Sequence, residues 1–96
     1  MKFYLCQSSI KHDDCDYLEN YLIKVEGELP DDAERQLTQW NWGGDWVESE
    51  DGVLDLGRRT VSDYILGEVS ATTVGDISQW IYVCTPKFNY EEKGNE

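Results

Sequence analysis

From Tyr21 to Trp46 the chain reads YLIKVEGELPDDAERQLTQWNWGGDW, and no other stretch carries so many start and stop signals. Tyr17, Tyr21, Ile23 and Val25 fall in alternation, with Leu29 in phase, while Lys24, Glu26 and Glu28 point the other way, toward solvent. That is the pattern of a half-buried strand with an acidic outer face. Leu18, Leu22 and Val25 also fit a helical stripe from Asp16, but β-branched Ile23 and Val25 favour extended chain from Tyr21 onward. Pro30 then opens a helix, Asp31 stands as N-cap and Glu34 completes a D-x-x-E capping pattern. These acids also sit at the positive end of the helix dipole. Ala33, Leu37 and Trp40 recur at i, i+4 and i+7, a narrow apolar stripe that would pack on a sheet, and Gly43-Gly44 stops the run. The spacing predicts a helix over about 30–40.

The flanks read mainly as strands. Residues 2–8 alternate with apolar groups on both faces, as expected near the centre of a sheet. Residues 9–16, SIKHDDCD, read as a polar connecting loop. Residues 45–50 and 53–56 flank Asp51-Gly52, the signal of a tight hairpin turn. Residues 60–76 are divided: Thr60 and Thr73 each open a T-V-x-D pattern that can start a helix, while Gly67 and the run VSATTV favour a strand around 62–72. Residues 77–84, ISQWIYVC, read as a central strand ended by Pro86, and residues 91–96 as a disordered tail. The expected architecture is therefore α+β: a mostly antiparallel sheet of four to six short strands with one helix on one face, in a single domain over 1–90.

Charge sets the function classes. Twenty Asp and Glu against eight Lys and Arg give a formal charge of −12. Such a field repels nucleic acid and anionic membrane and attracts basic surfaces, which most often belong to proteins that handle nucleic acid. Direct nucleic-acid binding and membrane association are not expected. Cys6, Cys15 and Cys84 have no C-x-x-C spacing, and no secretory leader opens the chain, so a reduced, cytoplasmic setting is expected with Cys6 and Cys84 in strands.

Catalytic patterns are missing. The one histidine, His12, lies among Asp13, Asp14, Cys15 and Asp16. Consecutive loop residues rarely converge on one metal ion, and no second cluster completes a ligand set. No nucleophile elbow, P-loop or calcium-loop spacing occurs. No cofactor and no enzymatic activity are therefore expected. The candidate partner-binding residues are acids on three outer faces: Glu26 and Glu28 on the strand, Asp31, Asp32 and Glu34 on the helix, and Glu48, Glu50, Asp51 and Asp55 on the hairpin. Trp42, outside the helical stripe, is the candidate exposed aromatic anchor. Small size, high negative charge and missing catalytic residues make the chain resemble anti-CRISPR and anti-restriction inhibitors as a class. That resemblance implies a phage or mobile-element protein acting in a bacterial cytoplasm as a nucleic-acid mimic against a basic partner. Two alternatives stand beside it: a small ligand- or metal-binding domain or enzyme with a site near His12 and Cys15, and a structural protein, monomer or homodimer, that pairs through a sheet edge.

Overall fold

The computed structural model describes residues 1–13, 15–42, 47–48, 54–55 and 59–90. In chain order the elements are β1 (Lys2–His12), β2 (Cys15–Val25), α1 (Ala33–Trp42), β3 (Val47–Glu48), β4 (Leu54–Asp55), β5 (Arg59–Val69), α2 (Ala71–Ile77) and β6 (Tyr82–Cys84). They form one six-stranded mixed sheet in the order β3-β4-β5-β1-β2-β6, an α+β architecture. All pairings are antiparallel except that of β2 with β6. The fold class therefore agrees with the sequence expectation, although β1, β2 and β5 are eleven residues each rather than short.

Residues 9–12 and 15–16 are strand, not loop. His12 pairs with Cys15, so β1 and β2 are joined through residues 13 and 14 alone, and Asp13 takes a left-handed φ of 52°. Aspartate tolerates that conformation, and positive φ at such a position gives the hairpin the twist its strands need. β2 ends at Val25, so Glu26 and Glu28 lie in the bend that follows and not on a strand face. The face assigned to solvent is covered as well: Leu22, which shares it, is fully buried.

Tyr21, Ile23 and Val25 form the core with Cys6 and Leu37, joined by the partly buried Tyr4, Leu29, Ile65, Cys84 and Phe88. β2 and β3 run parallel, as do β5 and β6, and the connections between them cross the sheet in opposite directions. Connections of the usual right hand would set α1 and α2 on opposite faces. α1 brings Leu37 to the Ile23 face, and α2 runs beside β1.

α1 is held by more than its apolar stripe. Beyond Val61 no described strand pairs with the outer side of β5, and its outward N–H groups meet the helix. Asp63 N donates to Thr38 Oγ1 at 2.8 Å and Ile65 N to Glu34 Oε2 at 2.8 Å. Helix positions i and i+4 are about 6.0 Å apart along the axis, and strand positions i and i+2 about 6.6 Å, so the two sets match. Glu34 thus reaches across to β5, where the irregularity between Leu5 and Cys6 leaves Leu66 without a partner on β1. This contact rolls the helix: Ala33, Leu37 and Thr38 are buried, Trp40 is 51 % exposed and Trp42 is half-buried. The exposures expected for the two tryptophans are therefore exchanged. Thr38→Val, which keeps the shape but leaves the buried Asp63 N–H unpaired, is expected to lower stability by about 1–3 kcal/mol in urea denaturation.

The second half departs most from expectation. β5 takes in 62–69 of the strand placed around 62–72, with residues 71 and 72 already in α2, and 77–84 is not a central strand. Ser70, in extended conformation, accepts from Thr73 N and caps α2, which runs from Ala71 to Ile77. Only Tyr82–Cys84 pairs, at the sheet margin, with Trp80 85 % and Tyr82 82 % exposed. A serine cap outweighed the β-branched composition of 69–74. Residues 85–90 then return along α1. The Gln36 side chain both donates to Asn89 O and accepts from Asn89 N, and the Tyr90 hydroxyl donates to Glu28 O.

Candidate binding surface

Glu26 and Glu28 lie in the bend just past the end of β2, and Asp31 and Asp32 lead into α1. Glu34 is carried to the outer side of β5 at Ile65, level with Cys6 and Tyr21 rather than with the sheet end at Val25. Glu68 stands opposite Tyr4 near the end of β5. Glu26, Glu28, Asp31 and Glu34 are exposed, and Asp32 is half-buried. Asp32 and Glu34 also serve the fold. Asp32 accepts from Gln36 Nε2 at 2.8 Å and lies 3.7 Å from Arg35 Nη1, while Glu34 accepts from Ile65 N. Glu26 and Glu28 are exposed in the bend, and Asp31 is exposed ahead of α1. Glu48 and Asp55 fall on β3 and β4, and Glu50 and Asp51, with the turn expected at Asp51-Gly52, lie outside the described residues.

Reasoning from sequence missed a polar cluster under α1. Asp63 is 2 % exposed, on a strand face where its neighbours Val61 and Ile65 are apolar. Ser8 Oγ donates to Asp63 Oδ1, and Asn41 Nδ2 donates to Asp63 Oδ2 at 2.9 Å and to Tyr21 Oη at 3.2 Å. Trp42 Nε1 is buried and meets no acceptor at hydrogen-bond geometry, yet its N–H still helps to hold the Asp63 charge. Burial pushes the Asp63 pKa up, and the Asn41, Ser8 and Trp42 donors oppose that shift only in part. Burial likewise pushes Cys6 up to about 12, with the nearby Asp63 charge adding to it, and raises Tyr21. A thiol and a phenol held neutral beside a shielded carboxylate are not poised as nucleophiles. The only sequence signal was a single carboxylate in the alternation V61-x-D63-x-I65.

At the opposite end, His12 lies 3.9 Å from Asp13, both side chains about half exposed. A cleft of about 650 Å³ opens beside it, lined by Ile10, His12, Asp16, Tyr17, Leu18, Glu19 and Trp42. Cys15 is not part of its wall. Among the described residues no three His, Cys, Asp or Glu side chains gather as a metal site would require, and no helix is long and apolar enough to cross a membrane. Comparison with protein-family models, with curated proteins and with solved structures yields no match.

Proposed function

We propose that this protein is a non-enzymatic acidic binding protein that occupies a basic site on a protein partner, in the manner of a nucleic-acid mimic. The observation that supports this is the run of exposed and half-buried acids, Glu26, Glu28, Asp31, Asp32 and Glu34, that leads from the end of β2 into the first turn of α1 in a chain of charge −12. Carboxylates in the bend after β2 and at the start of α1 present charge from backbone positions that the fold sets, as the phosphates of a duplex do. The field of the whole chain steers a basic partner toward those acids, and short-range contacts then fix the register. A partner that handles nucleic acid fits best, because its binding channel already carries the complementary charge. Phage or mobile-element origin and a bacterial cytoplasm belong to the same proposal.

Charge reversal tests it. With Glu26→Lys, Glu28→Lys and Asp31→Lys combined, affinity for the captured partner is expected to fall by about tenfold or more at low salt. The difference from wild type should narrow as salt rises past the point where the Debye length is about 8–10 Å. Affinity that ignores both the triple reversal and added salt would sink the proposal.

A further inference from the structure

β2 spans Cys15 to Val25, but β6 pairs only with Tyr21, Leu22 and Ile23. Cys15 to Asn20 is therefore an edge that no described strand pairs, and every residue on it is exposed. Natural sheets usually shorten, bulge or cover such an edge. This one is six residues long, pairs with β1 without a register shift, and exposes Tyr17 by 54 % and Leu18 by 63 %. It ends beside Tyr82, itself 82 % exposed.

The backbone parity of the edge follows from the hairpin. In a two-residue hairpin the closing pair, here His12 and Cys15, is hydrogen-bonded, so the odd residues of β2 bond to β1. The N–H and C=O groups of Asp16, Leu18 and Asn20 then point away from the sheet. Carried on to β5, the same parity points Asp63 N and Ile65 N outward, where they are found bonded to Thr38 and Glu34. Among the described residues the β2 edge has no such cover. On the α1 face it adjoins the cleft bounded by Ile10, Tyr17, Glu19 and Trp42.

The charge of the edge selects its occupant. Asp16 and Glu19 flank the two exposed apolar residues, with Asp13 at the hairpin tip. A second copy pairing here would bring like charges together on two chains of −12 each, which is unfavourable across a ladder. We infer that the free edge of β2 takes up an extended, basic segment of a partner protein as an added strand. Main-chain bonds form to Asp16, Leu18 and Asn20, and one side chain of the segment enters the cleft between Glu19 and Trp42. The inference rests on the proposed function only for the sign of the partner's charge.

The probe is a short end-blocked peptide alternating lysine and valine, with amide hydrogen exchange followed residue by residue by NMR. Added peptide is expected to slow exchange several-fold at Leu18 and Asn20 and to leave Tyr17 and Glu19, already bonded to β1, unchanged. The same peptide N-methylated on alternate amides, and a glutamate–valine counterpart, should protect nothing. Leu18→Pro removes only an outward N–H and should abolish protection at Asn20; Leu18→Ala keeps the backbone and should retain it. Absent or uniform protection, or protection that grows with protein concentration without peptide, would overturn the inference. The Glu26, Glu28 and Asp31 triple reversal should still bind the peptide, so failure here and failure of the proposed acidic run are distinguishable.

Discussion

Leu37→Ala is expected to cost about 2–5 kcal/mol of folding stability. Leu37 is fully buried and is the only α1 side chain in the cluster with Cys6, Tyr21, Ile23 and Val25. Truncation removes its own burial and leaves a cavity against strands that are tied to one another and cannot close on it. Domains of this size hold only about 5–15 kcal/mol in total, so the variant should sit near the edge of folding. In a thermal melt each lost kcal/mol should lower Tm by about 4–8 °C. A loss below about 1 kcal/mol would mean that α1 is held mainly by its hydrogen bonds to β5, and Thr38→Val should then be the more damaging change.

The second large effect depends on pH through Asp63. Burial raises its folded pKa above the unfolded value of 3.8, so the folded state binds the proton more tightly. Above the folded pKa the carboxylate is charged in both states, and its desolvation opposes folding. Below 3.8 it is protonated in both, and that opposition is gone. The contribution of this group to stability thus increases as pH falls through the folded pKa toward 3.8, the reverse of an ion-paired aspartate. General charge repulsion relaxes in the same direction, so the comparison must be with Asp63→Asn. That variant keeps an acceptor for Asn41, and the Ser8 hydroxyl can turn to accept from the new amide. It should equal or exceed wild type in stability at neutral pH, and the difference should shift in favour of wild type as the solution is acidified. A difference independent of pH would show that Asp63 does not titrate within that window. Asp63→Ala instead leaves the buried Ser8 hydroxyl without its acceptor and should cost about 1–3 kcal/mol at any pH.

The parts of the fold legible from sequence are those where local chemistry and packing agree. Alternation at Tyr21, Ile23 and Val25 marked the core strand, and Ala33 and Leu37 marked the buried side of the helix. Long-range pairing was not legible. Residues 9–12 became strand by pairing with β5, from Ser9 against Ser62 to His12 against Arg59, a long-range ladder that no local signal announces. The roll of α1 that exchanged Trp40 and Trp42 comes from Thr38 and Glu34 bonding to β5, again a tertiary effect. In the second half, Ser70 capped a helix where composition favoured a strand. As for the surface, sequence placed Glu26 and Glu28 on a strand face and the structure places them in a bend, because β2 stops at Val25. The free edge of β2 became visible only once β6 proved to be three residues long.

The central claim is that a basic, nucleic-acid-handling partner sees this protein as it would see nucleic acid. The most direct measurement captures the partner from the native host on the immobilised protein and titrates duplex DNA against the complex. Displacement by DNA in proportion to its concentration, with displacement by salt and none by a neutral polymer, is the predicted result. A partner that stays bound through saturating DNA, or that binds DNA and this protein together, would contradict the account.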